Sequence, residues 1–302
     1  MNRIKQKKYC GIALDPIHIG AGGYRLGRVD NTIVRDPTTD VPKIPGTSLA
    51  GMIREYATTY VMGTDSNCKN KSDEKRKRKC AEEKVKKYFG DENRQGIFRF
   101  YDGQMIFFPV SSIQGTVWIT TKELLEYWFG EVEDKNGEKI KIPENIEDNT
   151  YAIKGINASK PPLNLGWLML EVENITHGKE IILSEHLMNF VKRIVMVSDK
   201  LFSQIVNDNL EVRTSVRIDT TTGTAAAGAL FTYEAIPRGT VLGFEIVIDK
   251  RREKADNIDS LIKATFPYLK LVGIGGLGTR GFGRLRVFEL DKNKDDERDG
   301  GE

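Results

Sequence analysis

Gly273-Ile274-Gly275-Gly276-Leu277-Gly278-Thr279-Arg280-Gly281-Phe282-Gly283-Arg284 packs six glycines into twelve residues. Backbone of this composition can take positive φ and approach a ligand or another segment closely. The residues just after the cluster decide the fold. The run Arg284–Glu289 reads as a strand, so the glycine cluster does not open a helix. It matches neither the Gly-x-x-x-x-Gly-Lys-Ser/Thr loop nor a Rossmann fingerprint, and a doubly wound parallel fold is set aside. Two readings stay open for the cluster: a tight crossover at a sheet edge, or a polyanion contact made by backbone N–H groups with Arg280 and Arg284.

Upstream of the cluster, Ile258–Phe266 reads as a short helix and Thr240–Asp249 as an alternating strand. Val212–Ile218 and Ala225–Tyr233 flank Asp219-Thr220-Thr221-Thr222-Gly223, the pattern of a long β-hairpin with a small polar tip. Trp167–Val172 reads as a strand and Ser184–Ile194 as a helix. Gly96–Tyr101, Gln104–Val110 and Gly115–Thr120 are strand-like, the first two joined by a tight Asp102-Gly103 turn. Thr120 and Glu123 have capping-box spacing ahead of a helix bearing Leu124, Leu125 and Trp128. Strand and helix alternate irregularly, which predicts an α+β protein built on antiparallel sheet.

The N-terminal third carries the clearest local pattern. Leu49, Met52, Ile53, Tyr56, Ala57 and Tyr60 form one helical apolar stripe, which Thr47 or Ser48 can cap. Ahead of it lie a strand at Lys8–Leu14, a second glycine cluster at Ile17–Gly23 and the rigid turn Pro42–Gly46. Residues 64–95 are polar and lysine-rich, a mobile or helical insertion, and residues 290–302 read as a disordered acidic tail.

The 302 residues carry 46 Lys+Arg and 43 Asp+Glu. Ten basic and four acidic side chains fall within residues 69–87, so the rest of the chain is slightly acidic. A uniformly basic nucleic-acid coat is excluded, and a polyanion must use a local groove or patch. The lysine run itself reads first as a solvated face. No apolar run approaches the ~20 residues of a membrane span, and the charged N-terminus lacks a signal-peptide core. The three cysteines, Cys10, Cys68 and Cys80, make no disulfide framework and fit a reducing cytoplasm. With eleven residues between Cys68 and Cys80, no zinc site is favoured.

His18 and Asp30 share one glycine-rich segment, a pairing that is more often structural than chemical. Three blocks give it context. Pro16-Ile17-His18-Ile19-Gly20-Ala21-Gly22 leads to Leu26-Gly27-Arg28-Val29-Asp30-Asn31, Arg35-Asp36 and Ile44-Pro45-Gly46-Thr47-Ser48-Leu49-Ala50-Gly51-Met52-Ile53-Arg54. Phe107-Phe108-Pro109-Val110-Ser111-Ser112-Ile113-Gln114-Gly115-Thr116 stands mid-chain, and the C-terminal glycine cluster closes the set. Together they resemble the RAMP superfamily of CRISPR–Cas effector complexes. The mid-chain block resembles the backbone subunits of the type III-B (Cmr) complex.

The resemblance implies a ferredoxin-like core over residues 1–290, with the 64–95 insertion, a projecting hairpin, the thumb, within 205–235, and a tail at 291–302. It implies an endoribonuclease that stacks in copies of itself along a guide CRISPR RNA and cuts complementary target RNA at regular intervals. The large polymerase-like subunit, the small subunit and other RAMP proteins would be neighbours. Asp30 takes the family's cleavage position, and a carboxylate there can hold a divalent ion, Mg or Mn, or act as a general base. His18 corresponds to the loop histidine. Tyr233 and Glu234 supply the family's tyrosine and glutamate types in altered order. RNA contacts are implied at Gly20, Gly22, Ser48, Arg54, Gly275, Gly276, Thr279, Arg280, Gly281 and Arg284. The rivals are a type III-A or non-catalytic RAMP subunit, a guide-processing endoribonuclease, and a structural protein in which Asp30 is buried against Arg28 or Arg35.

Overall fold

A computed structural model of the chain describes residues 3–22, 29–134, 136–143, 150–157, 162–175, 181–218, 221–251 and 258–290. Strand β1 (Ile4–Ala13) is followed by helices α1 (Gly46–Thr64), α2 (Ser66–Lys69) and α3 (Glu74–Phe89). Strands β2 (Gly90–Asp91), β3 (Arg94–Gln95), β4 (Phe98–Phe100), β5 (Gln104–Val110) and β6 (Val117–Thr120) lead to helix α4 (Lys122–Phe129). Next come β7 (Glu133–Asp134), β8 (Thr150–Lys154), β9 (Leu163–Leu165), β10 (Leu168–Leu170), β11 (Val172–Asn174) and β12 (Ile181–Ile182). Helix α5 (Glu185–Met188), strand β13 (Ile194–Met196) and helix α6 (Asp199–Asp208) precede the hairpin β14 (Glu211–Ile218) and β15 (Ala225–Ala235). Strand β16 (Val241–Asp249), helix α7 (Ile258–Leu271) and strand β17 (Leu285–Glu289) complete the described chain.

The order β17–β1–β16–β5, antiparallel throughout, with α1 after β1 and α7 after β16, is the βαββαβ pattern of a ferredoxin-like core. Its organiser is β16. Every residue of Val-Leu-Gly-Phe-Glu-Ile-Val-Ile-Asp except Val247 is buried, so the strand is covered on both faces instead of alternating. Beyond β5 the sheet continues through β6, β13, β8 and β11, where β6–β13 and β8–β11 are parallel pairs. The antiparallel expectation therefore holds for the core and is relaxed in this extension.

Asp102-Gly103 is not a hairpin turn. β4 and β5 both pair with β16, opposite Ile246–Ile248 and Val241–Gly243 respectively, as two consecutive stretches along one edge. The bend between them serves α1. The Asp102 carboxylate accepts the Gly46 N–H at 2.7 Å and pairs with Lys43 at 2.7 Å, while Gly103 exchanges backbone bonds with Ile44. Thus the helix is capped from the bend between β4 and β5, and neither Thr47 nor Ser48 makes the expected side-chain cap. Its stripe packs as expected, with Leu49, Ile53, Tyr56 and Ala57 buried.

Other local expectations shift by small amounts. Thr121, not Thr120, caps α4 by accepting the Leu124 N–H. The helix expected over Ser184–Ile194 is the single turn α5, because Val191 and Ile194 are drawn into the core and Ile194 starts a strand. Trp167 is 89% exposed at the bend between β9 and β10 instead of lying in a strand. Helix α7 runs past Phe266, through Pro267, to Leu271. The tail at 291–302, Arg28, and Asp219 and Thr220 of the hairpin tip lie outside the described residues.

The insertion is helical, and its cysteines are not free. Cys68 and Cys80 form a disulfide joining α2 to α3, which corrects the reading of all three cysteines as thiols; Cys10 is the free one. Ala81 and Val85 of α3 are buried, and Val85 forms a small cluster with Ala57 of α1 and Leu261 of α7. Among the described residues no helix is long and apolar enough to cross a membrane.

Candidate functional site

After β1 the chain runs irregularly alongside the end of β15, through bridges Ile17–Ile236, Gly20–Ile33 and Asn31–Tyr233. Three consecutive residues of β15, Thr232, Tyr233 and Glu234, thereby each hold part of one site. Asp30 is exposed, and its Oδ2 accepts the Thr232 N–H and hydroxyl, both at 2.8 Å. Its own N–H donates to Thr232 Oγ1 at 2.9 Å. The Thr232 N–H, then the Thr232 hydroxyl, hold the Asp30 carboxyl below the usual carboxylate range. The result is a fixed anion at the surface. Asp30 is not buried against Arg35, so that form of the structural reading fails.

His18 is buried, and its Nδ1 lies 2.7 Å from the Glu234 carbonyl. A carbonyl only accepts, so Nδ1 carries the hydrogen, and a neutral ring keeps its free lone pair on Nε2. The ring meets Tyr233 edge-on, with centroids 5.9 Å apart. Tyr233 in turn accepts a hydrogen bond from Arg280 Nη1 at 2.8 Å, with the guanidinium 5.7 Å from the ring centre. His18, Tyr233 and Arg280 thus form a chain of contacts linking the first loop, the base of the hairpin and the glycine loop.

Glu234 has a different part. Its side chain is buried, with Oε1 2.7 Å from Arg35 Nη2 and Oε2 accepting the Ile33 N–H at 3.3 Å. Arg35 also reaches Asn207 of α6 at 3.1 Å. The carboxylate is committed to pinning the loop that presents Asp30.

The glycine loop closes over His18. Gly276 donates its N–H to the His18 carbonyl at 2.9 Å, and Gly275, at φ +88°, passes so close that a Cβ would lie 2.5 Å from that oxygen. Thr279 and Arg280 sit in a short turn ending at Gly281. Arg284 forms a bidentate ion pair with Asp15 instead of standing free. Gly20 lies against the His18 ring and Gly22 at the exposed rim. Ser48 is half-buried in the first turn of α1. Arg54 lines a groove with Phe89, Arg99 and Tyr101 beside the insertion.

The described residues contain no group of three or more His, Cys, Asp or Glu side chains placed to share a cation. Glu234 is spent on Arg35, which leaves Asp30 as a single carboxylate. The described residues do not build a resident Mg or Mn centre by themselves.

The sequence profile of the RAMP superfamily matches residues 12–286, nearly the whole chain. The chain belongs to the RAMP superfamily. The "CRISPR system Cmr endoribonuclease Cmr4" of Pyrococcus furiosus is 29% identical over 292 residues, covering 91% of this chain and 92% of that protein. Among solved structures, the apo type III-B Cmr-beta complex contains a chain with TM-score 0.66 at 18% identity, over 96% of this chain and 98% of that one. Cmr-beta bound to cognate target RNA gives 0.67 at 17% identity, over 94% and 97%. Oligomeric Cmr4 from Pyrococcus furiosus gives 0.59 at 22% identity, over 96% and 100%. These likenesses fix the RAMP fold.

Thr232 and Asp15 are participants that a reading of the RAMP motifs does not find, and Arg35, a motif residue considered as a partner of Asp30, pairs with Glu234 instead. Asp30 and Thr232 are 202 positions apart, and nothing local to either marks the contact.

Proposed function

We propose that this RAMP protein is a backbone subunit of a type III-B effector complex that holds a guide RNA and cleaves complementary target RNA beside Asp30. The observation that carries the reading is the Asp30 carboxylate, exposed, anionic and fixed by Thr232, the residue before the Tyr233 that meets His18 and Arg280. Copies of the chain, other RAMP proteins and the large and small effector subunits are its partners in this reading. Its place is the cytoplasm, where the Cys68–Cys80 pair would be an intracellular cystine.

The chemistry is set by the groups present. A target nucleotide splayed out of its duplex exposes a 2′-hydroxyl in line with the neighbouring phosphate. Asp30, held below its ordinary pKa, is a better hydrogen-bond acceptor than proton carrier, so it orients the 2′-hydroxyl. The 2′-oxygen attacks phosphorus and its proton passes to water, while the bond from phosphorus to the 5′-oxygen breaks and that oxygen takes a proton from water, leaving a 2′,3′-cyclic phosphate and a 5′-hydroxyl. In this reading Arg280 is the cation that stabilises the extra negative charge on the phosphoryl oxygens. Base pairing to the guide chooses the target, so the protein needs only backbone contacts and geometry.

In the metal-dependent form of this proposal Asp30 would hold a Mg or Mn ion, which would neutralise charge on the scissile phosphate. Loss of cleavage in EDTA, restored by either ion, supports that form; cleavage that persists in EDTA removes it. The deciding experiment is the assembled complex with labelled complementary RNA, wild type against Asp30→Ala. Loss of cutting with assembly and guide retention intact is expected, because an exposed carboxylate contributes little to folding. Cutting at the wild-type rate would remove Asp30 from the mechanism.

A further inference from the structure

The disulfide Cys68–Cys80 closes a loop whose eleven intervening residues hold seven basic and two acidic side chains. The acids are already used. Asp73 pairs with Arg76 at 3.4 Å and Glu74 with Lys77 at 2.8 Å, while Arg78 is held by Glu55 at 2.6 Å and Glu82 at 3.0 Å. Lys69, Lys71, Lys75 and Lys79 remain. All four are exposed, and none has an acidic partner among the described residues. Lys75 and Lys79 are one helical turn apart on α3, about 6 Å along the axis, and the opposite side of that helix is anchored through Ala81 and Val85.

Four unpaired cations within eleven residues repel one another, and an open chain of this composition would spread them apart. Here the disulfide and the buried anchor hold them together before any partner arrives, so less ordering remains to be done on binding. At the C-terminal end of the same helix a groove is lined by Arg54, Lys86, Arg99, Phe89 and Phe98, with Asp91 and Glu92 also on its wall. Guanidinium groups with aromatic rings suit stacked bases and their phosphates; an acidic protein surface would have no use for the rings.

We propose that the disulfide-closed loop is a second nucleic-acid surface, which takes the phosphodiester backbone of single-stranded RNA through Lys69, Lys71, Lys75 and Lys79. It is separate from the site on Thr232–Glu234, and it stands whether or not Asp30 takes part in cleavage.

The test uses the full-length chain and a fluorescein-labelled oligouridylate, with anisotropy titrations in KCl from about 50 to 200 mM. A variant carrying Lys69→Ala, Lys71→Ala, Lys75→Ala and Lys79→Ala is compared with a control carrying Lys192→Ala, Lys200→Ala, Lys250→Ala and Lys270→Ala. The control lysines are equally exposed, so both variants lose the same net charge without touching the core. At about 0.7 of slope per phosphate contact on a single strand, the loop variant should lose about 2.8 from the dependence of log K on log salt. The control should lose less than a quarter of that. A third variant, Cys68→Ser with Cys80→Ser, keeps every charge and opens the loop; weaker binding at unchanged slope is expected. An unchanged slope in the loop variant, or equal losses in loop and control variants, overturns the proposal. Displacement of the RNA by polyglutamate more readily than by unlabelled oligouridylate also overturns it, in favour of an acidic protein.

Discussion

Adding one methyl group at three positions of the glycine loop should give three different outcomes. At Gly275 the backbone sits at φ +88°, and a Cβ would lie 2.5 Å from the His18 carbonyl oxygen and 2.7 Å from Ile19 Cδ1. Left-handed backbone costs an L-residue about 1 kcal/mol. Relieving the clash means moving the His18 carbonyl off the Gly276 N–H, a further loss of about 1 kcal/mol, and disturbing packing around Ile19 by a similar amount. Gly275→Ala should therefore destabilise by about 3 kcal/mol, which is about 6 °C of Tm at about 2 °C per kcal/mol for a chain of this length. At Gly281, φ is +80° but the Cβ meets open space, so only the backbone cost of about 1 kcal/mol, or about 2 °C, applies. At Gly276 the nearest atom is His18 Cδ2 at 3.6 Å, ordinary contact without positive φ, and Ala should melt with wild type. Thermal unfolding followed by circular dichroism reads all three. Target cleavage should be lost in Gly275→Ala alone, because a displaced His18 no longer reaches the Glu234 carbonyl. Equal melting of Gly275→Ala and Gly276→Ala would refute the close approach on which this ranking rests.

Three further outcomes rest on contacts in the structure. Alkylation of the denatured, unreduced protein should label one cysteine, Cys10, and reduction should raise the count to three by mass; three labels before reduction would disprove the Cys68–Cys80 bond. Burial alone would raise the pKa of Glu289, but bonds from Lys263 and Lys7 outweigh it and hold the carboxyl below its ordinary value of 4.5. Its contribution is therefore complete above about pH 4.5 and lost as the pH falls further, so Glu289→Gln should flatten the acid limb of Tm against pH, and parallel curves would count against it. Deleting Thr220–Thr222 and closing the hairpin with Gly should abolish or relocate the regular cuts while leaving duplex affinity nearly intact; an unchanged ladder of products means this hairpin does not splay the duplex.

What could be read from sequence was what neighbours along the chain decide. The α1 stripe from Leu49 to Tyr60 and the hairpin strands either side of Thr221–Gly223 carry their own periodicity and turn residues, and both formed where expected. Gly275 and Gly276 stood out by composition. Strands β8 and β13 did not, because short apolar runs buried on both faces lack the alternation that announces a strand. The site's supporting contacts were equally silent. Glu234 meets Arg35 across 199 positions and Arg284 meets Asp15 across 269, so two residues with RNA-facing motifs turned out to be tied to acids or bases from far away. The cap of α1 came from Asp102, 56 positions downstream of Gly46. Residue type predicted which groups matter; only the fold says which of them are already engaged.

Strand β1 carries a consequence for how the chain comes to exist in time. Both its neighbours in the sheet lie near the other end of the polypeptide, β16 at Val241–Asp249 and β17 at Leu285–Glu289. Tyr9, Cys10 and Ile12, fully buried in the finished protein, have no strand to lie against until four-fifths of the chain has left the ribosome. Contacts of such sequence separation close slowly and cooperatively. The same delay governs the site, whose parts come from residues 18–35, 232–236 and 273–284. A nascent chain stalled before Val241 should stay protease-sensitive and should bind no partner through these segments. A truncated copy would be cleared, and could not enter an assembly as a defective subunit.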